Sequence, residues 1–402
     1  MLSAAPPLRA TSPASADRHA LIAQARRALL ADDGAWPQRT EVEPWITRSW
    51  QRCLSNGLHP AQHVAFGMVS ASALRRSHET HQHLLRAARP VLEQLTRAIA
   101  GMHYFALLTD AHGTVIDVQG AVDSRDPRAS AIGRVGIDLS ETAVGTTAIG
   151  AALAELQPVW LHRGEHFLED NNSYSCAGAP LFDPQGQCMG MLDLTGVDVP
   201  ERPELRHLVA RTARAVEDAL LQQMPHALLL RVNWPGCALG AEGDGLLTLD
   251  ADGFLLGSNS AARQLLPQPL RASGSPLHCG DLIALPWTLL FDAARQRGAG
   301  RPLDLPLWSG LRLQGLARYA NPGRSVHPGT SIACTPMPSA PPVPGPHLVA
   351  TGSGAAPAPL RQAEAALIRQ AVQDARGNVA EAARSLGISR ATVYRKLQSP
   401  KA

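Results

Sequence analysis

A chain of 402 residues exceeds what one hydrophobic core organises, so several domains are expected. Hydrophobic residues make up 45%, enough for real cores, and no run approaches the ~18 consecutive apolar residues of a membrane helix. The N-terminal stretch has no apolar run of signal-peptide length, so a cytoplasmic location is expected. Six scattered cysteines without a CxxC pair fit reduced thiols better than a disulfide framework or a zinc site.

The net charge of +3 is unevenly placed. From Arg361 onward eight basic residues face only Glu364, Asp374 and Glu381, a basic tail on a near-neutral body. That is the charge pattern of a phosphate-binding module. The only lysines are Lys396 and Lys401, followed by Leu397 and Ala402. A phosphate-gripping GxxxxGK[ST] loop is therefore excluded, and with it a Walker-type ATPase.

In chain order, residues 1–17 are rich in Pro, Ala and Ser and read as disordered. Asp17 caps a predicted helix that ends near Asp32-Asp33-Gly34. A second helix is predicted over 43–58, with Pro44 in its first turn and Trp45, Ile46, Trp50, Cys53 and Leu54 at helical spacing. A third pattern covers 71–100, and Pro90 is expected to kink or interrupt it. From Tyr104 the period becomes two, giving a hairpin through YFALLTDAHGTVIDVQG.

IDLSETAVGTTAIGAALAE reads as a helix of small residues, and PVWLHRGEHF as a strand and loop. CAGAPLFDPQGQCMGMLDLTG is a second hairpin turning at Asp183-Pro184-Gln185-Gly186, followed by a helix over 203–222. DGLLTLDADGFLLGSNSAARQLL repeats the hairpin theme. A loop-rich span to about 320 and a Pro/Gly/Ala-rich linker over 321–359 follow.

The tail from Arg361 contains three helical segments. Gly377 ends the first, Asn378 caps a short second one burying Ala382, Ala383 and Leu386, Gly387 makes the turn, and Ser389 caps the third. Small residues at the crossing and a glycine turn make a helix-turn-helix. On the last helix Ile388, Val393 and Leu397 face inward, while Arg390, Thr392, Tyr394, Arg395 and Lys396 fall mainly on the other face. From such positions a recognition helix reaches base edges and phosphates.

GNVAEAARSLGISRATVYRKL resembles the Fis-type helix-turn-helix that ends bacterial enhancer-binding regulators. ITRSWQRCLSNGLHP, ETAVGTTAIGAAL, GEHF and CAGAPLFDPQGQCMGMLDLTG are similar to the sensor of acetoin-catabolism regulators of the AcoR type. The resemblance implies a GAF domain in the middle segment, and residues 244–266 resemble the start of a PAS domain. It also implies a central AAA+ ATPase in full-length members. Here a linker of some forty residues takes that place, so ATP-driven remodelling of polymerase is not expected.

Several motifs have plainer readings beside the chemical ones. His162-Arg163-Gly164-Glu165-His166 matches the H-x-x-E-H zinc pattern, which needs a helix; Gly164 in a strand–loop context argues against one. His78, His81 and His83 share a helical face and read as solvated. Cys176 and Cys188 admit a redox role, as in GAF-fold sulfoxide reductases, but read as core or pocket-wall thiols. The start of the 141–147 segment offers hydroxyls and amides to a small polar or anionic ligand. Thr142, Thr146 and Thr147, with Trp160, Tyr174, Cys176, Asp193 and Thr195, are the candidate effector-pocket residues.

The expected architecture is α+β and multidomain. A helical region (1–75) precedes a GAF-like antiparallel sheet with flanking helices (76–225), a degenerate PAS-like segment (240–320), the linker (321–359) and an all-α Fis-type helix-turn-helix (360–402). The expected function is a DNA-binding transcriptional regulator, not an enzyme, needing neither cofactor nor metal. Its expected partners are operator DNA, a small-molecule effector, a second copy of the chain, and RNA polymerase or a full-length relative. An interaction role as a dominant negative and a cysteine redox enzyme remain as alternatives. Ser389, Arg390, Thr392, Tyr394, Arg395 and Lys396 are the expected DNA-binding residues.

Overall fold

The period-two segments from Tyr104 onward become sheet, and the helical repeats before and between them supply its two covering layers. In the computed structural model, residues 13–30, 42–266, 276–295 and 302–320 are described, together with 370, 371 and 383. Helices α1 (Pro13–Leu30), α2 (Pro44–Ser55), α3 (Ala71–Thr80) and α4 (Gln82–Ala98) precede the hairpin β1 (Tyr104–Asp110) and β2 (Val115–Gln119). Three short helices follow, α5 (Pro127–Ile132), α6 (Glu141–Val144) and α7 (Ala148–Glu155). Then come β3 (Val159–His162), β4 (Tyr174–Phe182), β5 (Cys188–Val197) and α8 (Leu205–Gln223).

The remaining described elements are β6 (Leu228–Asn233), β7 (Gly245–Leu249), β8 (Leu255–Ser258), α9 (Ser260–Leu265), α10 (Cys279–Leu282), α11 (Thr288–Arg295), β9 (Leu303–Pro306) and β10 (Arg312–Tyr319). The chain is thus α+β, with helices on two five-stranded sheets.

The first sheet has the order β2-β1-β5-β4-β3, antiparallel throughout. Alternation along each strand feeds two separate cores. Phe105, Leu107, Tyr174, Cys176, Met191, Val159 and Leu161 face one core, which also holds Trp45, Ile46, Trp50, Cys53, Phe167 and Leu168. Ala106, Leu108, Ala177, Ala179, Leu192, Leu194 and Trp160 face the other, built with α4 and α8. Because both faces are covered, β1 is buried along its whole length. The helical region read as 1–75 and the segment read as 76–225 share the first core through α2.

Close pairing leaves no room for a side chain at Gly190, where an added Cβ would lie 2.0 Å from the Thr109 carbonyl oxygen. Gly190→Ala is expected to cost about 1–3 kcal/mol by forcing β1 and β5 apart. An unchanged denaturation midpoint would contradict this close approach.

Arg52 fixes α2 to the small helices: it donates to Glu141 at 2.6 Å and to Glu155 at 3.0 Å. Beside it, the Ser49 hydroxyl lies 2.8 Å from Thr146 Oγ1.

Two expectations need correction. Pro90 does not interrupt its helix; α4 runs through it, and the break lies at His81. Proline frees the carbonyl four residues back, which here belongs to the exposed residue Arg86. At His81 the ring Nδ1 donates to Ser77 O at 2.7 Å, while the backbone amide donates to the same carbonyl. The span read as loop-rich up to 320 contains α10, α11, β9 and β10.

The chain divides into two compact units, the first made of Met1–Pro225, Ala238–Thr248 and Leu256–Ser273. Within it, α8 carries a buried carboxylate at Glu217. Glu217 accepts hydrogen bonds from Phe182 N at 3.2 Å, Ser260 N at 2.8 Å and Ser260 Oγ at 2.9 Å, and Arg263 lies 3.7 Å away. In the second unit β10 pairs antiparallel with β6 and with β9.

Candidate functional site

A cavity of about 20 Å³ opens in the first unit, between the sheet and the small helices. It is lined by Phe66, Ile132, Leu139, Thr147, Ala148, Ile149, His166, Asn171, Tyr174, Cys176 and Thr195. That volume holds a water-sized group. β4 and β5 present Tyr174, Cys176 and Thr195 from one sheet face, because these positions share the two-residue period. Thr147 caps α7 by accepting from Gly150 N at 3.3 Å. Gly178 lets α7 sit on β4: a Cβ there would come within 3.0 Å of Ala148 O and 2.5 Å of Met191 Cε.

His166 and Asn171 come from the turns after β3. His166 is fully buried, and its Nδ1 donates to Arg163 O at 2.9 Å. Burial holds the ring down to about 4, and nearby Arg26 adds to the effect, so the imidazole is neutral. Its Nε2 has no partner. Asn171 Nδ2 donates to Val144 O at 2.8 Å, leaving its buried Oδ1 without a partner. Each unmet buried acceptor costs about 1–3 kcal/mol.

The turn itself is held from α1. Arg26 donates to the carbonyls of Gly164 at 3.1 Å, His166 at 2.9 Å and Phe167 at 2.7 Å.

The other polar groups are committed. Tyr174 Oη donates to Arg128 O at 3.0 Å. Thr195 Oγ1 donates to Asp193 Oδ2, so the Cys176 thiol, 3.4 Å from Thr195, gives its hydrogen to that hydroxyl. Burial pushes Asp193 up to about 7 and raises the Cys176 thiol well above its ordinary value, as it does Cys188. Thiols held protonated in this way are poor nucleophiles.

Of the residues read from the sequence, Thr147, Tyr174, Cys176 and Thr195 line the cavity, and Asp193 stands behind Thr195. Thr142 is exposed, 3.1 Å from Ser140 Oγ. Thr146 is buried against Ser49 and Cys53 of α2. Trp160 points into the opposite core, where Arg18 lies 4.7 Å over its ring. Phe66, Ile132, Leu139, Ala148, Ile149, His166 and Asn171 were not anticipated as lining residues.

The H-x-x-E-H stretch is a strand end and a 3-10 turn. Glu165 there accepts from Arg18 at 2.5 Å and from His162 N at 2.7 Å. Among the described residues no cluster of His, Cys, Asp or Glu could hold a metal. Also among them, no helix is long and apolar enough to cross a membrane. Ser389, Arg390, Thr392, Tyr394, Arg395 and Lys396 lie outside the described residues, as does the linker; Ala383 is helical and buried.

Comparison with known proteins defines the class first. Residues 359–399 match the family "Bacterial regulatory protein, Fis family", and residues 20–218 match "MimR, N-terminal domain". The chain is homologous to the acetoin catabolism regulators and to MimR-type activators, with a Fis-type helix-turn-helix at its C-terminus. It is 30% identical over 270 residues to the acetoin catabolism regulatory protein of Cupriavidus necator, covering 66% of this chain and 40% of the relative. It is 30% identical over 201 residues to the propane 2-monooxygenase operon transcriptional activator MimR of Mycolicibacterium goodii, covering 49% of this chain and 33% of that one. The matched regions thus span well under half the length of either relative. Among solved structures, a chain of the E. coli DhaR(N)–DhaL complex aligns with a TM-score of 0.41 and 17% identity, covering 68% of this chain and 99% of that one.

Proposed function

We propose that the protein is a DNA-binding transcriptional regulator whose cavity takes a small-molecule effector and whose Fis-type segment binds operator DNA. The match of residues 359–399 to the Fis family carries this reading. The relatives are named for operons and catabolism of small molecules, which supports an effector of that size. The protein acts in the cytoplasm, as a homodimer and without catalysing a reaction. One recognition helix buries too little surface for tight specific binding, and two copies engage half-sites about one DNA turn apart. Arg390, Thr392 and Arg395 contact bases or their surroundings; Tyr394 and Lys396 contact phosphate. Effector binding shifts the population of dimer arrangements competent for DNA.

The test is binding of the purified chain to its own upstream DNA and to a scrambled duplex at several salt concentrations. A specific complex with a steep salt slope is expected. Lys396→Ala should weaken binding to both duplexes alike and lower the slope by about 1, whereas Arg390→Ala should remove the preference for the operator. Equal affinity for both duplexes would overturn the reading.

A further inference from the structure

The two helices that build the second core turn a basic side to solvent. On α4 the buried residues Leu84, Ala88, Leu92 and Leu95 form one stripe. With about 3.6 residues to a turn, Arg86, Arg89, Glu93 and Arg97 fall opposite it, and all four are exposed. On α8 the buried stripe is Leu205, Val209, Val216 and Leu220, and Arg211, Arg214 and Asp218 lie on the far side. The helices pack against each other over the same sheet face, so their outward stripes adjoin. Of the arginines on α4 and α8, Arg206 and Arg211 meet carboxylates, Glu43 at 4.0 Å and Glu242 at 3.1 Å. Arg86, Arg89, Arg97 and Arg214 make no ion pair among the described residues. Asp218 is itself engaged by Asn259 Nδ2 at 2.7 Å. The chain before its basic tail is close to neutral, so this positive charge is concentrated rather than general.

We propose that the α4–α8 face is a second DNA contact, which lies on the phosphate backbone beside the operator and holds it without reading sequence. The inference goes beyond the operator reading above and rests on it for the presence of DNA. Exposed guanidinium groups without carboxylate partners are what a phosphate backbone engages. Duplex DNA carries one charge per about 1.7 Å of axis, and Arg86 and Arg97 stand about 16 Å apart along α4, so the stripe spans several phosphates. The covalent tether decides which polyanion is at hand. Residues 321–359 reach at most about 140 Å even fully extended, so the body stays beside whatever DNA the tail holds. An acidic protein offers the same charge, but nothing in the chain keeps one near. A second copy laid on this face by two-fold symmetry would set arginine against arginine.

The experiment compares the full chain with a variant carrying Arg86→Ala, Arg89→Ala, Arg97→Ala and Arg214→Ala. Each is titrated over a salt series against a long duplex from its own upstream region and against a scrambled one. The variant should bind both duplexes at least tenfold more weakly at low salt. Its salt slope should fall by about 2–4 per bound chain, since each lost phosphate contact removes about 0.9. Lysine at the same four positions should restore the slope, because charge and not shape carries the contact. Should the fourfold variant fail to fold, Arg86→Ala with Arg89→Ala is read in the same way, with an expected fall of about 2. A slope that stays where it was overturns the inference. Sedimentation then tells a face between copies, where the variant is monomeric, from a face for an acidic protein, where its assembly is unchanged. An unchanged slope with operator preference intact leaves the regulator standing. A lowered slope without operator preference in the unaltered chain overturns the regulator and leaves a non-specific DNA face.

Discussion

Replacing Trp50 with alanine is expected to lower stability by about 3–5 kcal/mol, the usual cost of removing a buried tryptophan. Trp50 is 1% exposed and lies in the core that α2 shares with the sheet. Its indole Nε1 donates to Glu165 O at 2.9 Å, and the Arg26 guanidinium lies 5.8 Å from its ring centre. Glu165 belongs to the turn that carries His166, and Arg26 holds that turn from α1, so the substitution empties a core position and loosens one wall of the cavity together. Equilibrium unfolding in urea measures the loss. Trp50→Phe keeps much of the packing and gives up the hydrogen bond, so an intermediate loss is expected. A loss below about 1 kcal/mol for Trp50→Ala would mean that α2 does not fold cooperatively with the sheet.

Asp193→Asn is expected to stabilise the protein at pH 8 and to change little at pH 4. Burial raises the Asp193 carboxyl from 3.8 to about 7, so the folded state holds a proton that the unfolded chain has already released. The stability this group contributes is complete below pH 4 and is lost as pH rises through 7. A rise of that size is worth about 4 kcal/mol, which bounds the gain from removing the ionisation. The amide's oxygen still accepts from the Thr195 hydroxyl, so the local geometry survives. His166 behaves oppositely: with its value held down to about 4, its contribution is complete above pH 6.5 and is lost as pH falls through 4. Between those values the two groups offset each other, and the Asp193→Asn chain should show the acid-side loss that the unaltered chain masks. Parallel stability–pH curves for the two proteins would refute the assignment to Asp193.

Much of the first sheet was legible because its hairpins announce themselves. Asp183-Pro184-Gln185-Gly186 separates two period-two runs, and those runs became β4 and β5. Less was legible where both faces of a strand are buried. Val159, Trp160, Leu161 and His162 are all buried, so periodicity cannot say which face meets the cavity, and Trp160 went to the other core. Thr146 and Thr147 are neighbours with different surroundings, one against α2 and one at the cavity, a distinction set by tertiary packing. His166 was visible as half of a metal motif and within the GEHF stretch, and not as a cavity residue, although the bond that makes it an acceptor is to a carbonyl three residues back. β9 and β10 hid because Pro306 and Gly315 lie inside them, residues that usually punctuate strands.

Glu217 bears on where this chain can be cut. Its carboxylate is shared by α8, by the end of β4 and by the start of α9, so its partners lie on both sides of residue 225. An isolated sensor fragment ending at the close of α8 would keep the acid and lose Ser260 and Arg263, leaving the carboxylate with the Phe182 amide alone. Such a fragment would be a poorer subject for ligand screening or crystallisation than one carried through α9. A fragment that keeps the partners of Glu217 must run past Arg263, well inside what sequence punctuation marks as the next domain.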